Sequence, residues 1–266
     1  MLIMRIIRID NEEDTSTKVL VQNVHLRVEG EDTLSKLPST LTTNTEDENE
    51  AGHHVGKSGE ESFWLVTYDD EDVKIVDRNM ERLRGNRWLT DDIIEGYSLL
   101  LKKKFCWKSF EILGSIEFAG FLRTLQFGPG NSRRRRSQTH DYANYAKIYQ
   151  PVHTNGNHWI LLVADTEEKE IIVYDSFGKG NEEYVSSFKK LLRKCTLLDL
   201  DWRINNLGSS TPQQQDDIQC GAFVCMAMLW LLNDREPNYS HDFVKNDGRE
   251  HIRRSIENNR IASIRM

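Results

Sequence analysis

A chain of 266 residues, 29% of them charged and with a formal net charge of -7, is long enough for one sizeable core plus appended segments. Its mildly acidic balance excludes attraction to nucleic acid through net charge. Four cysteines, Cys106, Cys195, Cys220 and Cys225, are too scattered for a disulfide scaffold and form no CxxC pair, so a reducing compartment is expected.

The start, MLIMRIIRID, is interrupted by Arg5 and Arg8 and lacks the small-residue cleavage pattern of a signal peptide. No run approaches the roughly 20 apolar residues that span a bilayer. The expectation is a soluble, intracellular protein of cytoplasm or nucleus, without a membrane partner. Within residues 1-30 the alternation in VLVQNVHLRV suits one or two strands. From Glu31 to Ser62 the chain turns polar and acidic and reads as a flexible linker, because it cannot bury enough surface to offset its ordering entropy. His53 and His54 inside it read as solvated linker histidines, with a metal site as the alternative. Residues 1-62 are thus expected as an amino-terminal extension and 63-266 as the folded domain.

FWLVTYDDEDVKIVDRN predicts two short strands joined by an acidic turn. WLTDDIIEGYSLLLKKK predicts a helix with Thr90 as its cap. Asp91 and Asp92 in its first turn and Lys102 to Lys104 in its last suit the helix dipole at both poles. Ile93, Ile94, Tyr97 and Leu101 then share one face.

Beyond a Gly- and Arg-rich loop, AKIYQPV, HWILLVAD and EIIVYDS read as three strands, the last two joined through TEEKE as a hairpin. Glu182 to Lys194 reads as an amphipathic helix and LLDLDWRI as a further strand. The polar loop NNLGSSTPQQQDD then leads to GAFVCMAMLWLL, apolar on every side and so a helix buried in the domain. Strands in the middle with helices around them make an α+β domain.

Cys220 stands at the entrance to that buried helix. A thiol reacts as thiolate, which a helix amino terminus and a nearby imidazolium both favour. His158, at the start of a strand, is the candidate base. Asp175, at the rim of the next strand, is the candidate that orients it, the third member of a nucleophile, base and orienter set. An acyl transfer also needs oxyanion donors. The Cys220 backbone N–H and a side chain from Gln213, Gln214 or Gln215 can supply them, and spacing alone does not choose among the three.

The ordered set RWLTDDII, NHWILLV, VYDSFG and TPQQQDDIQCGAFVC resembles the ubiquitin-like-protein protease family, which includes the SUMO and NEDD8 proteases and related bacterial deubiquitinases. The resemblance covers roughly Phe63 to Leu232. It implies a papain-like cysteine protease fold, a mixed central sheet flanked by helices with the nucleophile at the amino terminus of a buried helix, and cleavage after the carboxyl-terminal Gly-Gly of ubiquitin or a ubiquitin-like modifier. It assigns His158, Asp175 and Cys220 to the triad and Gln214 to the oxyanion hole. Trp88 and Trp159 match the pair that clamps the di-glycine tail, a slot only glycine passes, and Asp91 matches an acidic residue that pairs with the substrate tail. The implied partners are ubiquitin or a ubiquitin-like modifier and its conjugates, and no metal or cofactor is required. Two positions depart from the usual pattern: Gln219 stands where Asp is usual before the nucleophile, and Thr90 where Asn is usual.

Other readings of the same residues are a NEDD8-specific protease, an acetyltransferase using the same triad, which the paired tryptophans argue against, and a non-catalytic module that binds the modifier. Taken singly, Trp88 and Trp159 are ordinary core aromatics, Asp175 is turn chemistry, and Cys225 inside the buried helix is packing. The run Arg133 to Arg136 reads as solvated charge, with nuclear import, an acidic partner or a grip on the modifier as the alternatives and a nucleic-acid adaptor as the remaining class.

Overall fold

The stretch from Trp159 to Ala164 is apolar at every position, so a strand built from it has no face to offer water and needs cover on both sides. The fold provides that cover. The computed structural model describes residues 53-55, 62-85, 87-127, 142-178, 181-196 and 201-265. They run as β1 (His53–Val55), β2 (Phe63–Tyr68), β3 (Glu71–Val76), α1 (Asp77–Arg84), α2 (Asp91–Lys104), β4 (Phe110–Ile112), α3 (Ser115–Phe127), β5 (Lys147–Thr154), β6 (His158–Asp165), β7 (Glu170–Tyr174), α4 (Glu182–Thr196), β8 (Arg203–Asn206), α5 (Cys220–Leu232), α6 (His241–Phe243), a π-helical turn (Val244–Gly248) and α7 (Arg249–Glu257). All of them lie in the unit Asn49–Met266. The strands expected in residues 1-30 and the run Arg133 to Arg136 fall outside the described residues.

Five strands form the main sheet in the order β4-β5-β6-β7-β8. The two β6 pairings are antiparallel, and the outer pairings β4 with β5 and β7 with β8 are parallel. This is a mixed sheet flanked by helices, an α+β fold. Side chains alternate across it. Trp159, Leu161 and Val163 join the core made by α2, α5 and α7, while Ile160, Leu162 and Ala164 join the one closed by Phe118 of α3 and by Val185, Phe188 and Leu192 of α4. Pro151 sits within β5 because β4 pairs only as far as Tyr149, so no ladder bond is asked of the proline nitrogen on that edge.

The two strands of FWLVTYDDEDVKIV form as expected, with Asp69 at φ 57° in the turn, but the second ends at Val76 and Asp77 opens α1. The expected linker is corrected in one place. His53–Val55 pairs antiparallel with β2, with His54 opposite Trp64, making a three-stranded sheet. Backbone bonding to a free strand edge needs no apolar side chain, so a polar segment can supply it. Thr90 occupies the N-cap position of α2 with extended backbone, yet its side chain makes no capping bond, and its hydroxyl is buried without a hydrogen bond. Ile93, Ile94, Tyr97 and Leu101 share a fully buried face.

EIIVYDS ends as a strand at Tyr174, which leaves Asp175 and Ser176 in the following turn. The strand expected from LLDLDWRI is confined to Arg203–Asn206, residues 197-200 lying outside the described ones. Helix α5 is buried along nearly its whole length, Cys220 included.

Candidate active site

Three separate elements deliver the candidate residues to one rim of the sheet. His158 is the first residue of β6 and Asp175 follows the last of β7. The register pairs Leu161 with Tyr174, so Asp175 stands diagonally across from His158 rather than opposite it, a spacing long side chains can close. They close it here: His158 Nε2 and Asp175 Oδ1 are 2.7 Å apart and buried.

The carboxylate is held from every side. The Phe177 N–H donates to Oδ1 at 2.8 Å and Asn181 Nδ2 donates to Oδ2 at 2.8 Å. Burial works against the Asp175 charge, but the bonds from His158, Phe177 and Asn181 outweigh it and hold the carboxyl below its ordinary range. Burial likewise works against a charged His158, but the Asp175 hydrogen bond, with Cys220 adjacent, lifts its pKa to about 9. The Phe177 ring stacks on the imidazole at 4.8 Å, which limits its tilt.

With Nε2 committed to Asp175, the other ring nitrogen, Nδ1, is buried and without a hydrogen bond. The Cys220 thiol lies close enough to raise the imidazole pKa. Cys220 is 1% exposed and is the first residue of α5, where backbone N–H groups lack helical partners. The three side chains named from the sequence therefore meet. Cys225 is fully buried in the same helix, where burial pushes its thiol up, and Cys106 is exposed.

The glutamine loop divides its labour. Gln213 Nε2 donates to the Asp175 carbonyl at 3.2 Å and to Thr211 and Gly208, which pins the loop to the end of β7. The Gln215 N–H donates to His241 Nδ1 at 3.1 Å. Gln214 is buried, its Oε1 accepts from Ser176 Oγ at 2.6 Å, and one N–H of its amide donates to the Asp216 carbonyl. Asp216 Oδ1 in turn accepts the N–H groups of Ile218 and Gln219 at 2.9 and 3.1 Å, shaping the approach to Cys220.

Trp88 and Trp159 both line a pocket of about 200 Å³ whose wall includes Cys220, Asp91, His153 and Asn157. Trp88 is 46% exposed and Trp159 2%: the Trp88 indole N–H donates to the Asp217 carbonyl at 2.6 Å, and the Trp159 ring lies flat against His153 at 4.7 Å. Trp88 also borders a second pocket of about 610 Å³ with His158, Phe177, Asn181 and Asp217. Gly221 stands where the space for a side chain is tight. A Cβ there would meet Leu89 Cβ at 3.0 Å and Trp159 at 3.4 Å, so any larger residue would push the wall of the pocket away from the thiol.

Several residues of the site were not named from sequence. Asn181, just ahead of α4, carries the signal of a helix cap, and its side chain serves Asp175 instead. Phe177 and His153 carry no signal beyond being aromatic. Arg249 lies beyond the last recognisable motif, yet its guanidinium reaches Gln219 beside the nucleophile at 2.6 Å. Among the described residues no cluster of three or more His, Cys, Asp or Glu could hold a metal ion, and none of the described helices is long and apolar enough to cross a membrane.

Comparisons with known proteins bear on this geometry. The chain is 25% identical over 185 residues to the sentrin-specific protease of Caenorhabditis elegans, which covers 63% of this chain and 25% of the relative. It is 26% identical over 179 residues to the ubiquitin-like-specific protease 1 of Saccharomyces cerevisiae, covering 64% and 28%. The chain thus matches about a quarter of the length of these relatives. The solved C-terminal Ulp1 protease domain in complex with Smt3, the yeast ortholog of SUMO, aligns with a TM-score of 0.61 at 19% identity over 78% of this chain and 97% of that one. The Chaetomium thermophilum Ulp1-like SUMO protease catalytic domain gives 0.59 at 20% identity, over 71% and 81%. These likenesses establish the Ulp1-type fold. The family model described as "Ulp1 protease family, C-terminal catalytic domain" matches residues 123–263, a span that contains His158, Asp175, Gln214 and Cys220 and begins after Trp88 and Asp91. With more than half of its length inside that match, the chain belongs to the Ulp1 protease family.

Proposed function

We propose that this chain is a cysteine isopeptidase that cleaves after the carboxyl-terminal Gly-Gly of a ubiquitin-like modifier, with SUMO as the first candidate. The observation that carries the reading is His158, tied through Nε2 to a buried Asp175 and presenting an unpartnered Nδ1 edge beside a thiol at a helix amino terminus. An imidazolium beside a sulfur favours its thiolate, and at neutral pH an imidazole with a pKa of about 9 is protonated.

In this reading the Cys220 thiolate attacks the carbonyl carbon of the terminal glycine. The oxyanion that forms is held by the Cys220 N–H and by the Gln214 amide, whose other N–H is fixed on the Asp216 carbonyl. Collapse of the intermediate expels the lysine amine of the target, which takes its proton from His158. The thioester left on Cys220 is then attacked by water, which gives its proton to His158, and the modifier leaves with a free carboxylate. Asp175 keeps the imidazole oriented through both steps. Trp88 and Trp159 admit a tail without side chains to the pocket beside Cys220, and Asp91, which lines the same pocket, pairs in this reading with a basic residue of the tail.

SUMO is favoured by the relatives, one a sentrin-specific protease, and by the fold match to a domain solved in complex with Smt3. Carboxyl-terminal fluorogenic conjugates of SUMO, ubiquitin and NEDD8 test the proposal directly. The wild-type chain is expected to release the fluorophore from the SUMO conjugate fastest, and Cys220→Ala to release it from none. Turnover by Cys220→Ala at the wild-type rate, or no turnover of any conjugate by the wild type, would sink the reading.

A further inference from the structure

Arg249, the first residue of α7, is 3% exposed and makes five hydrogen bonds through its guanidinium. Nη1 donates to the carbonyls of Arg82 and Gly85 at 2.7 and 3.1 Å, and Nη2 to those of Arg87 and Ile218 at 2.5 and 3.4 Å. Nε donates to Gln219 Oε1 at 2.6 Å. These acceptors belong to two segments far apart in sequence. Residues 82-87 lead directly into Trp88, and Ile218 and Gln219 lead directly into Cys220.

A second joint lies alongside, where the Trp88 indole donates to Asp217 and the Arg82 guanidinium donates to the Trp88 carbonyl at 3.1 Å. A planar fork with fixed donor directions can hold two strands of backbone at one separation, which a lysine's single ammonium cannot do. Arg87 and Trp88, between α1 and α2, are both exposed and lie outside regular structure.

We propose that Arg249 is a positioning residue that sets the gap between Trp88 and Cys220, and so determines how tightly the modifier tail is held against the thiol. The proposal rests on the reading of the cleft given above. The residue touches no reacting atom. It acts through Gln219 and Ile218 on one side and through the carbonyls ahead of Trp88 on the other, so loosening it weakens tail capture and alignment while the thiol itself stays in place on α5.

Three measurements on Arg249→Lys and Gln219→Met decide it. The second variant keeps the arginine and its four carbonyl bonds and removes the link to the residue before the nucleophile, together with the weaker Gln219 Nε2 bond to Asp216 Oδ2 at 3.4 Å, so it preserves a test if the first does not fold. Cleavage of the SUMO conjugate is expected to fall about tenfold or more in kcat/KM, with KM raised. Alkylation of Cys220 by iodoacetamide, which needs the thiol but no slot, should stay within about threefold of wild type, a result that general unfolding would not give. Acrylamide quenching of Trp88, taken as the difference from a matching Trp88→Phe chain, should rise. Gln219→Met cleaving the conjugate with wild-type kcat/KM, or cleavage and alkylation falling together in it, overturns the proposal. If the wild type cleaves no conjugate, the functional reading fails on its own account and Trp88 quenching alone judges the clamp: unchanged quenching in Gln219→Met rejects it.

Discussion

The imidazole of His158 is lifted to about 9 against the cost of burial, chiefly by its bond to Asp175 and by the neighbouring Cys220. For a thiolate and imidazolium pair, activity persists while the imidazole holds its proton and falls once it is lost. The pH profile of kcat/KM should therefore have an alkaline limb near pH 9. Asp175→Asn removes the negative charge that stabilises the imidazolium, so this limb should move to lower pH, together with a loss of rate of about a hundredfold or more. A limb that stays in place in Asp175→Asn would show that another group titrates there. Asn181 and Phe177 belong to the same account, since both hold the carboxylate in its direction.

This level was only partly legible in the sequence. His158, Asp175 and Cys220 could be named because each sits at an end of a strongly patterned element. Asn181 was hidden because an asparagine before two glutamates reads as a helix cap, and nothing in one dimension shows that its side chain turns to another strand.

At the scale of elements, the nucleophile helix and the slot wall meet at Gly221. Its missing Cβ lets Leu89 come within 3.0 Å and Trp159 within 3.4 Å of where that atom would stand. Gly221→Ala forces backbone or side chains apart in a packed region, at a cost of about 1–3 kcal/mol. Thermal or urea unfolding should register that loss, and cleavage of the conjugate should show a raised KM, because the displaced residues wall the tail pocket. Unchanged stability and KM would mean that the wall is softer than its packing indicates.

Elements whose burial pattern is complete were readable in advance: β6, apolar through its length, α2, charged at both poles, and α5, apolar all round. Strand β1 was not, since a backbone ladder to β2 can form on a polar sequence that carries no strand pattern. Short α1 was missed because only Met80 and Leu83 of its eight residues are buried, too few to set a period.

For the molecule as a whole, two buried histidines pull stability in opposite directions with pH. His251, bonded to the Tyr97 hydroxyl at 2.8 Å, is lowered by burial and by nearby Lys104 and Arg254 to about 4. As pH falls below 6.5, the ordinary value, the unfolded chain takes up this proton first, so stability declines until about pH 4. His158 is raised to about 9, so its contribution is complete below 6.5 and is lost as pH climbs through 9. Each effect is on the order of 3 kcal/mol. Asp175, held below the ordinary carboxylate range, adds its own loss only at more acidic pH. Melting temperature should therefore peak in the neighbourhood of pH 6.5, and His251→Gln should flatten the acid side alone. A profile level from pH 4 to 9 in the wild type would contradict these assignments.

The parts of the molecule least visible in its sequence are those that join distant segments. Arg249 looks like one more charge on an amphipathic helix, and its role depends on α7 returning to the loop beside Cys220.

The most direct test of the account is a SUMO probe whose terminal glycine carries a thiol-reactive electrophile, followed by mass spectrometry of the labelled chain. A single adduct on Cys220, lost in Cys220→Ala, strongly slowed in His158→Ala and retained in Cys225→Ala, is the predicted result. Labelling of Cys106 or Cys225 with Cys220 untouched, or equal labelling in His158→Ala, would contradict it.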